Sequence, residues 1–197
     1  MASTLDDPGT APVVPAKFAH VVLRTNNYAA MCQFYCTFFG GVKPRYESDM
    51  MCLLTYDSEH HRVGILNMPH IANKQRESSG LEHIAYTYAS LGELALSYLQ
   101  RKNDGILPFW CTNHGPTTSV YYKDPDGNII ETQVDNLSVE EADAFMRSDE
   151  YHSNPIGVDF DMDDLIKRLR SGEDRASIMK RPDIGSRGID TVPEYGS

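Results

Sequence analysis

HVVLRTNNYAAMCQFYCTFFG, residues His20–Gly40, changes its periodicity midway, and that change decides the fold. Its first part belongs to a short apolar run, FAHVVLRT (Phe18–Thr25), that reads as a strand. Asn26 or Asn27 can then cap a helix. Apolar residues recur at three and four (Met31, Phe34, Tyr35, Phe38), and Gly40-Gly41 stops it. Three short strand-like pieces follow, Val42–Glu47, Met50–Tyr56 and Arg62–Met68, with turn residues at Ser48-Asp49 and Asp57-Ser58-Glu59 between them. The same order then repeats. Leu81–Ala89 is a strand, and Ser90 caps a helix carrying Leu91, Leu94, Leu96, Tyr98 and Leu99 that ends near Asn103–Gly105. Strands at Ile106–Thr112, Thr118–Lys123 and Asn128–Val134 complete it, the last two joined by the turn Asp124-Pro125-Asp126-Gly127. Identity between the two passes is slight. The repeat lies in the order of elements, βαβββ twice, which predicts an α+β protein.

These modules span residues 17–68 and 80–135 of a domain running from 17 to 135. Residues 1–16, rich in Pro, Ala and small polar side chains, form a loose arm in this reading. The hydrophilic segment Pro69–Gly80 is either a plain linker or a flap over a pocket mouth. Past Asp135 the character changes to a helical and extended C-terminal tail, 136–197. SVEEADAFMRSDE reads as a short acidic helix. DMDDLIKRLRSG reads as an amphipathic one, with Asp161 at its cap and an apolar face (Leu165, Ile166, Leu169) that needs either the core or another subunit. Roughly the last 25 residues look extended.

A chain of 197 residues buries a real core. Its net charge of −10, with no Lys/Arg cluster, disfavours nucleic acid and anionic membranes as partners. There is no apolar run of membrane-spanning length and no secretory signal at the N-terminus. Cys32, Cys36, Cys52 and Cys111 make no CxxC pair, and all four read as reduced thiols of a cytoplasmic protein.

Three residues carry the chemistry. Period 2 places His20 on a face with Phe18 and Val22, His83 with Leu81 and Ala85, and Glu131 with Ile129 and Gln133. Taken singly, each is a structural polar side chain. Taken together in matching frames, two imidazoles and a carboxylate hold a divalent metal on one side and leave its other positions open, the arrangement of non-haem iron oxygenases.

The segments HVVLRTNNYAAMCQFYCTFFG, GLEHIAYTYA and SVYYKDPDGNIIETQVD, in this order, resemble the vicinal oxygen chelate superfamily of glyoxalases, bleomycin resistance proteins and extradiol dioxygenases. The resemblance covers residues 17–135. It implies two modules curled into an incomplete barrel around a metal, with His20, His83 and Glu131 as its ligands. Glyoxalase-type members have a fourth ligand on the first module's last strand, but no Asp or Glu occurs between Arg62 and Arg76. The resemblance therefore points to a type I extradiol dioxygenase that uses Fe(II), with Mn(II) as the alternative metal, to cleave a small aromatic diol with O2. Within His60-His61-Arg62-Val63-Gly64-Ile65, it makes His61 the acid/base, with His60 as its rival and His70 a weaker one. Tyr121 corresponds to a tyrosine that hydrogen-bonds a metal-bound substrate oxygen. His114 corresponds to a further pocket histidine. Phe109 and Trp110 read first as core and second as pocket walls. A homodimer bridged by the tail is expected. The competing readings are a metal-dependent lyase or isomerase of glyoxalase type, and a non-catalytic protein that binds an aromatic compound.

Overall fold

The structure, a computed structural model, describes residues 5–6 and 9–193. The first module runs β1 (Val21–Thr25), α1 (Tyr28–Phe38), β2 (Tyr46–Glu47), β3 (Met51–Leu54) and β4 (Val63–Asn67). The second runs β5 (His83–Thr87), α2 (Leu91–Asn103), β6 (Trp110–Asn113), β7 (Thr117–Lys123) and β8 (Ile129–Asp135). Then come α3 (Val139–Met146), α4 (Asp149–Ser153), β9 (Val158–Asp159), α5 (Met162–Arg170), α6 (Arg175–Met179) and a 3-10 turn at Ile189–Thr191. The strands form two mixed sheets, ordered β1-β4-β3-β2 and β5-β8-β7-β6-β9. In each, the first strand lies parallel to the last strand of its own module, β1 to β4 and β5 to β8.

Each sheet buries one face under its helix. On α1, Met31, Cys32, Tyr35 and Phe38 pack against Leu23, Cys52, Leu54, Val63 and Ile65. On α2, Leu91, Leu94 and Tyr98 share the core with Val120, Tyr122 and Ile130. Each large apolar side chain removed from water contributes about 1.5–3 kcal/mol, so this face of the strands is the fixed one. The modules are also locked to each other. The Arg101 guanidinium, buried, donates to the Phe38 carbonyl from Nε (3.2 Å) and Nη2 (3.0 Å) and to the Tyr88 hydroxyl (2.7 Å). The Tyr35 hydroxyl donates to Asp124 across the module boundary at 3.0 Å.

Local chemistry sets the element ends. Ser90 accepts from the Glu93 amide, Asp161 accepts from the Asp164 amide, and Ser138 with Glu141 forms a reciprocal capping box. Asn27 caps α1 by position, but its side chain makes no capping bond; the Thr25 hydroxyl accepts from the Asn27 amide instead. Gly127 takes φ +78° at the β7–β8 turn, as the Asp-Pro-Asp-Gly reading requires.

Several elements differ from the sequence reading. Of Val42–Glu47 only Tyr46–Glu47 pairs, and the strand expected from Ile106 starts at Trp110. β1 begins at Val21, after His20, because Arg62 Nη1 binds the Phe18 and Ala19 carbonyls at 2.6 and 3.0 Å and takes them out of ladder pairing. The tail departs furthest. Its β9 extends the second sheet against β6, residues expected to be extended form α6, and α5 buries Met162, Leu165 and Ile166 in the protein's own core. With that apolar face covered inside the chain, the tail no longer argues for a homodimer. The segment Pro69–Gly80 is held at its start by Asn26, whose side chain donates to the Ile71 carbonyl and Asn73, and Lys74 donates to the Gly127 carbonyl. No helix among the described residues is long and apolar enough to cross a membrane.

Candidate active site

Strand register builds the site on the face of the second sheet opposite α2. Tyr121 on β7 pairs with Glu131 on β8 and with Trp110 on β6. Ala85 on β5 pairs with Glu131, so His83, two residues earlier, projects from the same face. Directly opposed residues have side chains in contact range, and the result is a connected polar cluster. His83 Nε2 lies 3.0 Å from Glu131 Oε2. The carboxylate is buried, while the imidazole is 37% exposed and leaves one side of the pair open. Burial pushes the Glu131 carboxyl up, but hydrogen bonds from His83 and Ser119 outweigh it and hold the group below the usual carboxylate range. The same bond from Glu131 raises the His83 imidazole, against burial. The pair therefore presents an ionised oxygen beside an imidazole nitrogen, two of the donor types that divalent transition metals take.

Beside it, Tyr121 and His114 form a relay of fixed polarity. His114 Nδ1 lies 2.6 Å from the Ile156 carbonyl, which only accepts, so Nδ1 carries the proton. Burial lowers the His114 pKa and keeps the ring neutral. Nε2 is then a lone pair, and it accepts from the Tyr121 hydroxyl at 2.9 Å. Burial, followed by the neighbouring Glu131 charge, pushes the Tyr121 phenol far above its ordinary value, so it stays protonated. The Trp110 indole stacks on Tyr121 with centroids 4.6 Å apart and 23° between planes. Its Nε1 donates to Asp159 on β9 at 2.8 Å. Phe109 and Trp110 are half-buried and line a cavity with His83 and Tyr121, so the pocket-wall reading replaces the core reading for both.

The remaining histidines form a second group. His20, exposed, lies with its ring centroid 4.3 Å from His61 and 6.3 Å from His60. The two adjacent rings meet through their Nδ1 atoms at 2.6 Å. Burial, then the His20 and His60 charges, lowers the His61 pKa. His70 is exposed in the inter-module segment. Among the described residues no three His, Cys, Asp or Glu side chains gather closely enough to hold a metal ion. The structure thus joins His83 to Glu131, and Tyr121 to His114 beside them, and it sets His20 against the acid/base candidates His60 and His61. Sequence reasoning missed the contribution of the tail: the Ile156 carbonyl, Asp159, and the residues Ile189 and Val192 at the cavity. All lie past the repeat that organised the reading, and no local pattern marks them.

Comparison with known proteins gives a consistent set. The model of the Glyoxalase/Bleomycin resistance protein/Dioxygenase superfamily matches residues 17–132. The chain is 46% identical over 158 residues to the Rhodococcus globerulus protein named biphenyl-2,3-diol 1,2-dioxygenase 2, a match covering 79% of this chain and 83% of that one. It is 39% identical over 171 residues to biphenyl-2,3-diol 1,2-dioxygenase 3 of the same organism, covering 85% and 90%. Among solved structures, a glyoxalase/bleomycin resistance protein/dioxygenase from Nocardioides is similar in fold, with a TM-score of 0.51 at 16% identity over 63% of this chain and 86% of that one.

Proposed function

From this chain's membership of the glyoxalase/bleomycin resistance protein/dioxygenase superfamily, we propose that it is an extradiol dioxygenase, which opens the ring of an aromatic diol beside its hydroxyls with incorporation of O2. Supporting this is the identity to the two biphenyl-2,3-diol dioxygenases over most of both chains. The observation that carries it on the structure is the His83–Glu131 pair, open on one side and flanked by a protonated tyrosine.

The donor set suits Fe(II) or Mn(II): an imidazole nitrogen and an ionised carboxylate oxygen, a mixed N,O set. In this reading His83 and Glu131 supply two ligands and His20 is assigned as the third. His61, which packs against His20, is then the acid/base candidate of the site. When bound, the metal supplies electron transfer between diol and dioxygen. The chain's own residues do the rest. Tyr121, its proton committed to His114, offers an oxygen lone pair that can accept a hydrogen bond from a substrate hydroxyl and fix the ring's orientation. His114 is locked in one tautomer by Ile156, which keeps its Nε2 an acceptor for the Tyr121 hydroxyl. The aromatic walls Phe109 and Trp110 can pack a substituent on that ring and exclude water. His61 is the proton carrier, with His60 as its hydrogen-bonded neighbour. β4 carries no carboxylate, so no fourth protein donor of the glyoxalase kind comes from it.

The test is to load the protein anaerobically with Fe(II), add biphenyl-2,3-diol and admit air. Oxygen uptake matched by a yellow ring-opened product is expected. Silence across a panel of aromatic diols refutes the proposal. A homodimer and a cytoplasmic setting belong to the same reading, and sedimentation at assay concentration decides the first.

A further inference from the structure

Past the residues matched by the family model, the chain returns to the site. Ile189 and Val192 line one cavity with His83, Phe109, Trp110 and Tyr121. Its volume is about 150 Å³. An apolar cavity of about that size accommodates a benzene-sized ring. Val192 is buried, 5% exposed, although it stands in a polar stretch; Ile189 is 63% exposed, at the mouth.

This segment is built into place. The Arg187 guanidinium grips Asp159 with two nitrogens, Nη1 to Oδ1 at 2.7 Å and Nη2 to Oδ2 at 2.9 Å. It also donates from Nε to the Thr191 hydroxyl at 2.8 Å and from Nη1 to the Gly157 carbonyl at 3.2 Å. Its side chain is only 10% exposed, and a planar fork engaged on both prongs fixes orientation as well as position. Asp159 Oδ1 is the same atom that receives the Trp110 indole N–H. One carboxylate therefore ties the tail to the indole stacked on Tyr121. Gly157, at φ +106°, lets this connection pass the second sheet closely, since a Cβ there would stand 2.3 Å from the Asn113 carbonyl oxygen.

We propose that Ile189 and Val192 are specificity-determining residues: they form the apolar wall that selects the ring substituent of an aromatic diol held at His83 and Glu131, with Arg187 as the positioning residue that fixes the wall. This rests on the reading under Proposed function. A cavity of one-ring size with mostly aromatic and aliphatic walls, and Glu82 among them, takes an aryl or alkyl substituent and rejects an anionic one. Added bulk on the wall penalises a diol with a second ring more than one without.

The experiment compares biphenyl-2,3-diol with catechol on wild type, Val192→Phe, Ile189→Phe and Arg187→Ala. It has two readouts: the ratio of kcat/KM values for the two diols, and the ratio of their dissociation constants without oxygen, followed by fluorescence. Trp110 is the single tryptophan, so the signal reports this wall. Both Phe variants are expected to shift each ratio against biphenyl-2,3-diol by tenfold or more, and Arg187→Ala to bring the ratios toward unity. Ile189 is exposed, so its variant folds even if the Val192 change does not. Ratios within twofold of wild type in a folded Ile189→Phe protein overturn the proposal, as does a Trp110 signal that no diol changes. Ring cleavage with unchanged ratios sinks the wall and leaves the dioxygenase reading standing. Shifted binding ratios without ring cleavage do the reverse.

Discussion

Replacing Asp124 tests the joint on which the active-site hairpin hangs. Asp124 is 5% exposed and accepts four hydrogen bonds: Oδ1 from the Asp126 and Asn128 amides at 3.0 and 2.8 Å, Oδ2 from Asn128 Nδ2 at 2.8 Å and from the Tyr35 hydroxyl at 3.0 Å. Three of these shape the β7–β8 turn, and the Tyr35 bond ties it to α1 of the other module. In Asp124→Ala all four donors lose their acceptor. The Tyr35 hydroxyl, fully buried, cannot turn to water and costs about 1–3 kcal/mol. The turn donors are partly wet and cost less, about 0.5–1.5 kcal/mol each as lost bonds. Together these come to about 2.5–7.5 kcal/mol, and about 4 kcal/mol is expected once the turn relaxes. Asp124→Asn keeps Oδ1 for both amides, and its new N–H₂ donates to the Tyr35 oxygen. It loses the Asn128 side-chain bond and leaves the Tyr35 proton without an acceptor, for about 2 kcal/mol. Urea unfolding separates the two. With m of about 2 kcal/mol/M, the Ala variant's midpoint falls by about 2 M and the Asn variant's by about 1 M, at unchanged m. An Ala variant within 1 kcal/mol of wild type, or an Asn variant as unstable as it, refutes the assigned role.

The same carboxyl carries a pH signature. Burial raises its pKa in the folded protein, against the hydrogen bonds from Asn128. The native state therefore holds that proton more tightly than the unfolded chain, and the stability so gained is present below about pH 4 and lost as pH rises through the raised folded value. Asp124→Asn cannot titrate, so the stability of wild type minus that of the Asn variant falls with rising pH over this window; a rising difference in a urea series contradicts it. Arg101→Ala removes the bonds to the Phe38 carbonyl and the Tyr88 hydroxyl, and the guanidinium lying 3.8 Å over the Phe38 ring, for about 3 kcal/mol by thermal or urea unfolding. A loss under 1 kcal/mol shows that the modules are held together elsewhere. Tyr121→Phe leaves His114 Nε2 without its donor and the substrate without its orienting oxygen. Ring-cleavage kcat falls about 10–100-fold while the fold is kept, and a variant with wild-type kcat removes Tyr121 from the mechanism.

The module order was legible because its signals are local: a change from period 2 to period 3.6, side-chain caps, and an Asp-Pro-Asp-Gly turn. The His83–Glu131–Tyr121 face was legible for the same reason, since alternate residues of regular strands share a side and the strands are adjacent in the sheet. His20 shows where that logic stops. Its frame was counted along a strand drawn from Phe18, but Arg62 captures the Phe18 and Ala19 carbonyls and the ladder starts one residue after His20. The tail was illegible because its meaning is non-local. Arg187 reads as an ordinary charge until Asp159 is set opposite it by a two-residue strand, and Val192 reads as an isolated apolar residue until the cavity is closed around it.

Anaerobic Fe(II) titration of wild type, His20→Ala, His83→Ala and Glu131→Gln reaches the centre of the account. All three replacements are expected to weaken binding at least about 100-fold, more than the loss of a group that only orients a ligand. Wild-type affinity in Glu131→Gln or His83→Ala contradicts the metal centre itself, and wild-type affinity in His20→Ala contradicts the assignment of its third ligand.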